Sequence, residues 1–150
     1  MSEGRVTGIY ISPTEGMLPE PVESVRAFAG KGLEGNRYFY EEGNAPAGRA
    51  ITLISDEAVD EFVQESGVPL TSQKSRRNVS TTGIDLNALV GKRFRVGDVE
   101  CVGVELCEPC TSLQAMTYPE VLKGMVHRAG LNADILSDGE IAVGDAVAEG

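Results

Sequence analysis

RNVSTTGIDLNALVGKRFRVGDVECVGVELCEPC, residues 77–110, is enough to set the fold class. Asn78 to Thr82 reads as a strand. Asp85 is placed to cap one short helical turn that runs through Val90, and Gly91 stops it. Phe94 to Val96 and Val99 to Leu106 alternate apolar and polar residues around Gly97-Asp98, the pattern of a hairpin. The second strand of that hairpin leads directly into Cys107-Glu108-Pro109-Cys110. Short strands divided by turn residues point to a strand-rich fold rather than a helical bundle.

The same reading extends outward in both directions. Arg5 to Ser12 alternates as a strand, Thr14 to Pro21 is a loop, and Val22 to Ala29 is a second strand. Gly30 to Arg37 is a glycine-rich loop, followed by a short strand from Ala50 to Ile54. Ser55 is an N-cap, with Asp56 and Glu57 where they favour the helix dipole. Ala58, Val59, Phe62 and Val63 share one face of that helix, which Gly67 ends. On the C-terminal side, Pro119 opens a helix to about Arg128 with Val121, Leu122, Met125 and Val126 on its apolar face. Leu131 to Leu136 and Glu140 to Val143 then form a hairpin around Ser137-Asp138-Gly139. The expected architecture is one domain over residues 1–150, mainly β with two or three helices, most simply a small barrel.

Composition agrees and excludes several classes. There are 18 glycines, seven prolines and no Trp, so turns are many and the core is aliphatic. No apolar run approaches the roughly 20 residues that span a bilayer, and Met1 to Arg5 is not the start of a signal peptide. The expected compartment is the cytoplasm. The net charge of −10 argues against nucleic acid as a partner. That charge is unevenly spread: Lys74, Arg76, Arg77, Lys92, Arg93 and Arg95 face one acid, Asp85, between positions 74 and 95. A basic segment in an acidic chain reads either as a site for a small anion such as phosphate or as a solvated basic strand.

Three cysteines, an odd number, argue against a disulfide framework. The Cys107–Cys110 pair admits several chemistries. Zinc needs four ligands, and only Cys101 and His127 remain to complete a set. A redox dithiol wants a βαβ context that is missing here. Two buried small side chains, or one functional thiolate or metal ligand, complete the alternatives. Glu105 and Glu108 disfavour a thiolate nearby, so activation needs a cation brought in by the fold or a bound metal. Cys101 belongs to the core-facing side of its strand. The glycine loop is neither a P-loop nor a dinucleotide fingerprint. His127, the only histidine, is either a helix-terminus cation or a binding residue.

Taken together, Arg77-Asn78-Val79, the run from Gly83 to Gly97 and Cys107-Glu108-Pro109-Cys110 closely resemble the central signature of MOSC domains, modules related to the C-terminal part of molybdenum-cofactor sulfurases. Gly32 to Arg37, His127 to Leu131 and Gly139 to Asp145 extend the resemblance to most of the chain. It implies a compact β-barrel, similar to the β-barrel domain of pyruvate kinase, and binding of the molybdenum cofactor, a pterin dithiolene with a phosphate tail. The family's characteristic cysteine matches Cys110, as a direct molybdenum ligand or as the carrier of a persulfide. Arg76, Arg77 and Asn78 match positions for gripping phosphate or pterin, with Arg37 and His127 in the same pocket. Asn36 stands where the family usually has an aspartate, which removes that charge. The resemblance further implies reduction of N-oxygenated substrates or sulfur transfer. The donor would then be a separate redox partner or a pyridoxal-phosphate-dependent cysteine desulfurase.

Overall fold

The computed structural model describes residues 3–13, 18–36, 38–108, 117–118 and 120–150. Its centre is a closed ring of seven strands. Strand β1 (Gly4–Ile11) carries the small β2 (Glu20–Val22) on its outer edge. From β1 the ring passes to β6 (Val79–Thr82), β5 (Ile51–Ser55), β9 (Leu131–Ile135), β8 (Val99–Leu106), β7 (Arg93–Val96) and β11 (Ala146–Glu149). β11 pairs back onto β1 through Gly4↔Val147 and closes the barrel. β3 (Ser24–Phe28), β4 (Gly32–Leu33) and β10 (Gly139–Ala142) form a second, three-stranded sheet.

β5 and β6 run parallel, Leu53 opposite Val79. Parallel neighbours need a crossover, and helix α1 (Asp56–Ser66) supplies it. Its boundaries follow the sequence signals: the Ser55 hydroxyl accepts from the Ala58 N–H, and Gly67 ends the helix in the left-handed conformation. β5 is buried on both faces. Ile51 and Leu53 point into the barrel, and Ile54 packs outward with Val59 and Phe62 of α1 and with Val121, Met125 and Ala129. β1 keeps Val6 and Ile9 in the same core despite their odd spacing. An irregularity in its pairing with β6 between Val6 and Gly8 leaves Thr7 as an extra residue and reverses the alternation.

Three expectations need correction. The helix expected from Pro119 to Arg128 is a single turn, α2 (Val121–Gly124). Val121 and Met125 are buried as expected, but His127 adopts φ 61°, which a right-handed helix cannot contain. Pro119 itself lies outside the described residues. The C-terminal hairpin does not form: β9 lies between β5 and β8, and β10 pairs with β3. The turn between them is tied elsewhere, with Ser137 Oγ accepting from Glu100 N–H and Asp138 from Ala29 N–H. Finally, the stretch from Val22 to Ala29 is divided between two sheets, Val22 pairing with Ile9 and Val25 with Ile141.

Candidate functional site

The basic segment splits into two halves. On β7, Arg95 reaches Glu100 at 3.2 Å across the hairpin, and Lys92, just before the strand, reaches Glu149 at 3.7 Å, both in solvent. These fit the reading of a solvated strand. The other half, on the loop before β6, turns toward the protein. Lys74 Nζ donates to the Tyr118 hydroxyl at 3.0 Å, and Arg76 is half-buried with φ 66°. Arg77 Nε donates to the Ala129 carbonyl at 2.7 Å.

Asn78 has its amide committed to the scaffold. Its Oδ1 accepts from the Thr52 N–H at 3.2 Å and Nδ2 donates to the Tyr10 carbonyl at 3.4 Å, tying β5 and β1 to the start of β6. Asn36 plays a similar part on the glycine loop. It is buried, and its Oδ1 accepts from the Ser12 N–H at 3.0 Å. A neutral amide oxygen meets that need as well as a carboxylate would. Arg37 and Cys110, with Pro109, lie outside the described residues.

The turn that Arg77 touches is the focus of the site. Gly130 adopts φ 117°, and a Cβ there would run into the Leu53 carbonyl oxygen, so only glycine lets the turn lie this close to β5. The chain leaving β8 is held against the same turn, Cys107 N–H donating to the Gly130 carbonyl at 2.8 Å. Glu108 then closes on His127 with both oxygens. Oε1 accepts from the His127 backbone N–H at 2.7 Å, and Oε2 lies 2.6 Å from Nδ1. Asn87 Nδ2 donates to the His127 carbonyl at 2.9 Å. The fold therefore brings Arg77, Cys107, Glu108 and His127 around one turn, 127–130.

The two described cysteines differ. Cys101 is enclosed in the barrel, and burial, with Asp134 adding to it, pushes its thiol up to about 12. Cys107 is half-buried at the end of β8. Among the described residues, no three His, Cys, Asp or Glu side chains converge as a metal site. An open cleft of about 420 Å³ adjoins the turn, lined by Glu57, Glu61, Asp85, Asn87, His127 and Arg128 among others. Glu57 would be raised by burial, but the Gly83 N–H, its own backbone N–H and the hydroxyls of Thr82 and Ser55 together hold it below the ordinary carboxylate value. Its carboxylate receives the Gly83 N–H at 2.7 Å.

Sequence reasoning did not find the roles of Glu108 and Asn87. Glu108 reads in sequence as a neighbour that raises thiol pKa values. In the fold its carboxylate is engaged by a residue 19 positions away, a spacing that carries no periodic signal.

Comparison with known proteins agrees with this architecture. The family model described as MOSC domain matches residues 34–148. No curated protein matches the chain. The YuaD protein from Bacillus subtilis is similar in structure, with a TM-score of 0.82 at 18% identity, covering 98% of this chain and 97% of that one. YiiM from Geobacillus stearothermophilus superposes with a TM-score of 0.75 at 15% identity, covering 98% of this chain and 75% of its own. YiiM from Escherichia coli gives 0.70 at 16% identity, over 97% and 69%. At these identities the likeness to solved structures concerns the fold. Among the described residues, no helix is long and apolar enough to cross a membrane.

Proposed function

The chain belongs to the MOSC domain family, and on that premise we propose that it binds the molybdenum cofactor, with the Cys110 thiolate as a molybdenum ligand. In this reading it reduces N-oxygenated substrates in the cytoplasm, where thiols stay reduced, using electrons from a separate protein. The observation that carries the reading is the convergence on turn 127–130. Cys107, which opens the Cys107–Cys110 run, is hydrogen-bonded to Gly130, and Arg77 is fixed on Ala129 of the same turn.

The donor set suits the group. A thiolate is a soft ligand, and a guanidinium fork matches phosphate oxygens. The adjoining cleft does not suit a phosphate tail, because Glu57, Glu61 and Asp85 line it. The tail is better served on the Arg76–Arg77 side. Asn78 contributes by holding β1, β5 and β6 in place under Arg77, since its amide is already used. Arg37 would join from the glycine loop and His127 from the turn. When bound, the molybdenum centre supplies two-electron redox chemistry. The protein's part is to grip the cofactor, to present Cys110 and to order the residues around it.

Protein purified from a host that makes molybdenum cofactor is expected to carry molybdenum and pterin fluorescence. Both should vanish in Cys110→Ser and survive in Cys107→Ser. Wild-type protein without metal that gains about 32 Da, one sulfur atom on a thiol, after incubation with a cysteine desulfurase and cysteine would make Cys110 a persulfide carrier instead. Stoichiometric zinc lost equally in both variants would overturn either reading.

A further inference from the structure

His127 is held more firmly than a surface residue needs to be. Its side chain is 71% exposed, and it belongs to neither hydrophobic cluster. Yet its backbone N–H, its carbonyl and its ring nitrogen Nδ1 each have a partner: Glu108 Oε1, Asn87 Nδ2 and Glu108 Oε2. One carboxylate thus fixes both the main chain and the ring of a single residue. The backbone conformation, φ 61°, is one that histidine adopts at a cost and glycine or asparagine adopts more easily. A turn built only to stop α2 would be better served by either of those. The arrangement makes sense if the imidazole itself is needed, in one orientation.

A carboxylate oxygen accepts, so Nδ1–H donates to Glu108 Oε2 and proton traffic falls to Nε2. This is how a carboxylate sets an imidazole for acid–base work, fixing the ring and its tautomer through the other nitrogen. His127 is one of the residues that line the cleft, with Asn87 and Arg128. Glu108 lies two residues before Cys110 in the chain. We propose that His127 is the proton-handling residue of this site, with Nε2 as the working atom, and that Glu108 is its positioning residue.

The inference rests on the reductase reading. Conversion of an N-hydroxylated amine follows R–NH–OH + 2 e⁻ + 2 H⁺ → R–NH₂ + H₂O. The N–O bond breaks, nitrogen is reduced, and the two electrons come from the separate electron-transfer protein. His127, protonated at Nε2 as well as at Nδ1, gives the Nε2 proton to the departing oxygen, which leaves as water, and the second proton reaches the nitrogen from solvent. The exposed ring then takes a replacement proton from solvent.

Because His127 is the only histidine, ¹⁵N-histidine labelling gives NMR signals with no assignment problem. Wild-type protein should show the Nδ1-protonated ring in slow exchange, and Glu108→Ala should shift the ring toward the other tautomer with its N–H signal broadened. The kinetic arm uses the molybdenum-loaded protein, an N-hydroxylated amine and a dithionite-reduced viologen dye as donor. His127→Asn, which tolerates the left-handed backbone, should lower kcat per bound molybdenum about 10²-fold or more with KM kept, whatever share of the protein carries metal. Glu108→Ala should lose part of that, and Glu108→Asp should recover some. Wild-type turnover with an unchanged kcat in His127→Asn sinks the inference and leaves the reductase reading standing. A wild-type protein that takes up no molybdenum and turns nothing over sinks the reading first, and the proton role with it. A ring that tumbles freely in wild-type protein removes Glu108 as a positioning residue whatever the kinetics.

Discussion

Cys101 occupies an inward position on β8, wholly enclosed, with Asp134 paired opposite its neighbour Val102. Burial first, and then the negative charge of Asp134, push its thiol up to about 12. At pH 8 only about one molecule in 10⁴ would then carry a thiolate at this position. Iodoacetamide at pH 8 should therefore leave Cys101 unmodified in the native protein and label it once the chain is unfolded, as read by peptide mass spectrometry. Labelling of native Cys101 at the rate of half-buried Cys107 would mean that the barrel interior opens readily. The contrast with Cys107 shows what position in the ladder does to one residue type. Both cysteines belong to the same strand or its immediate exit, and a step of six positions leads from the inside of the barrel to its rim.

At the scale of single elements, α1 and its crossover join the parallel pair and also border the cleft. Glu57, in the first turn, receives the Gly83 N–H at the end of β6. Burial works against its charge, but the N–H groups of Gly83 and its own backbone, with the Thr82 and Ser55 hydroxyls, leave its pKa below the ordinary carboxylate value. A lowered folded value means that the contribution to stability is complete above the unfolded value and is lost as pH falls through the folded one. The group is largely solvated, so the effect after screening is a few tenths of a kcal/mol. Glu57→Gln should lower Tm by about 1 °C at pH 7 and leave it unchanged near pH 2. A larger loss at pH 2 than at pH 7 would reverse the sign and refute the account. This element was legible in the sequence because every signal is local: Ser55 at the cap, the Val59–Phe62 face, Gly67 at the end. The β7–β8 hairpin was legible for the same reason. β9 and β10 were not, because Ser137-Asp138-Gly139 announces a turn without saying which strands the two arms will join. The site divides in the same way. Arg77 could be marked from its charge and its place in a motif, whereas the Glu108–His127 contact exists only after β8 and turn 127–130 meet.

On the scale of the whole molecule, the barrel depends on its last strand. β11 pairs with β7 through Val147↔Val96 and with β1 through Gly4↔Val147, so one short segment joins the two ends of an otherwise open sheet. Val147 is fully buried in the same cluster as Val6, Phe94 and Val96. The Gly97 N–H donates to the Ala146 carbonyl and the Gly150 N–H to the Arg93 carbonyl, at 2.8 and 3.1 Å. Removing 146–150 would take away one buried valine, about 1.5–3 kcal/mol, and several ladder hydrogen bonds at about 0.5–1.5 kcal/mol each. It would also leave β1 and β7 with facing unpaired edges, which are templates for association between chains. The loss is a large share of the roughly 5–15 kcal/mol by which a domain of this kind is stable. A chain ending at Asp145 should melt more than about 10 °C lower, or elute as aggregates in size-exclusion chromatography. If it melts cooperatively within two or three degrees of the full chain, then closure of the ring contributes little. The stability would in that case lie in the two-sided burial of β5 between the barrel core and α1.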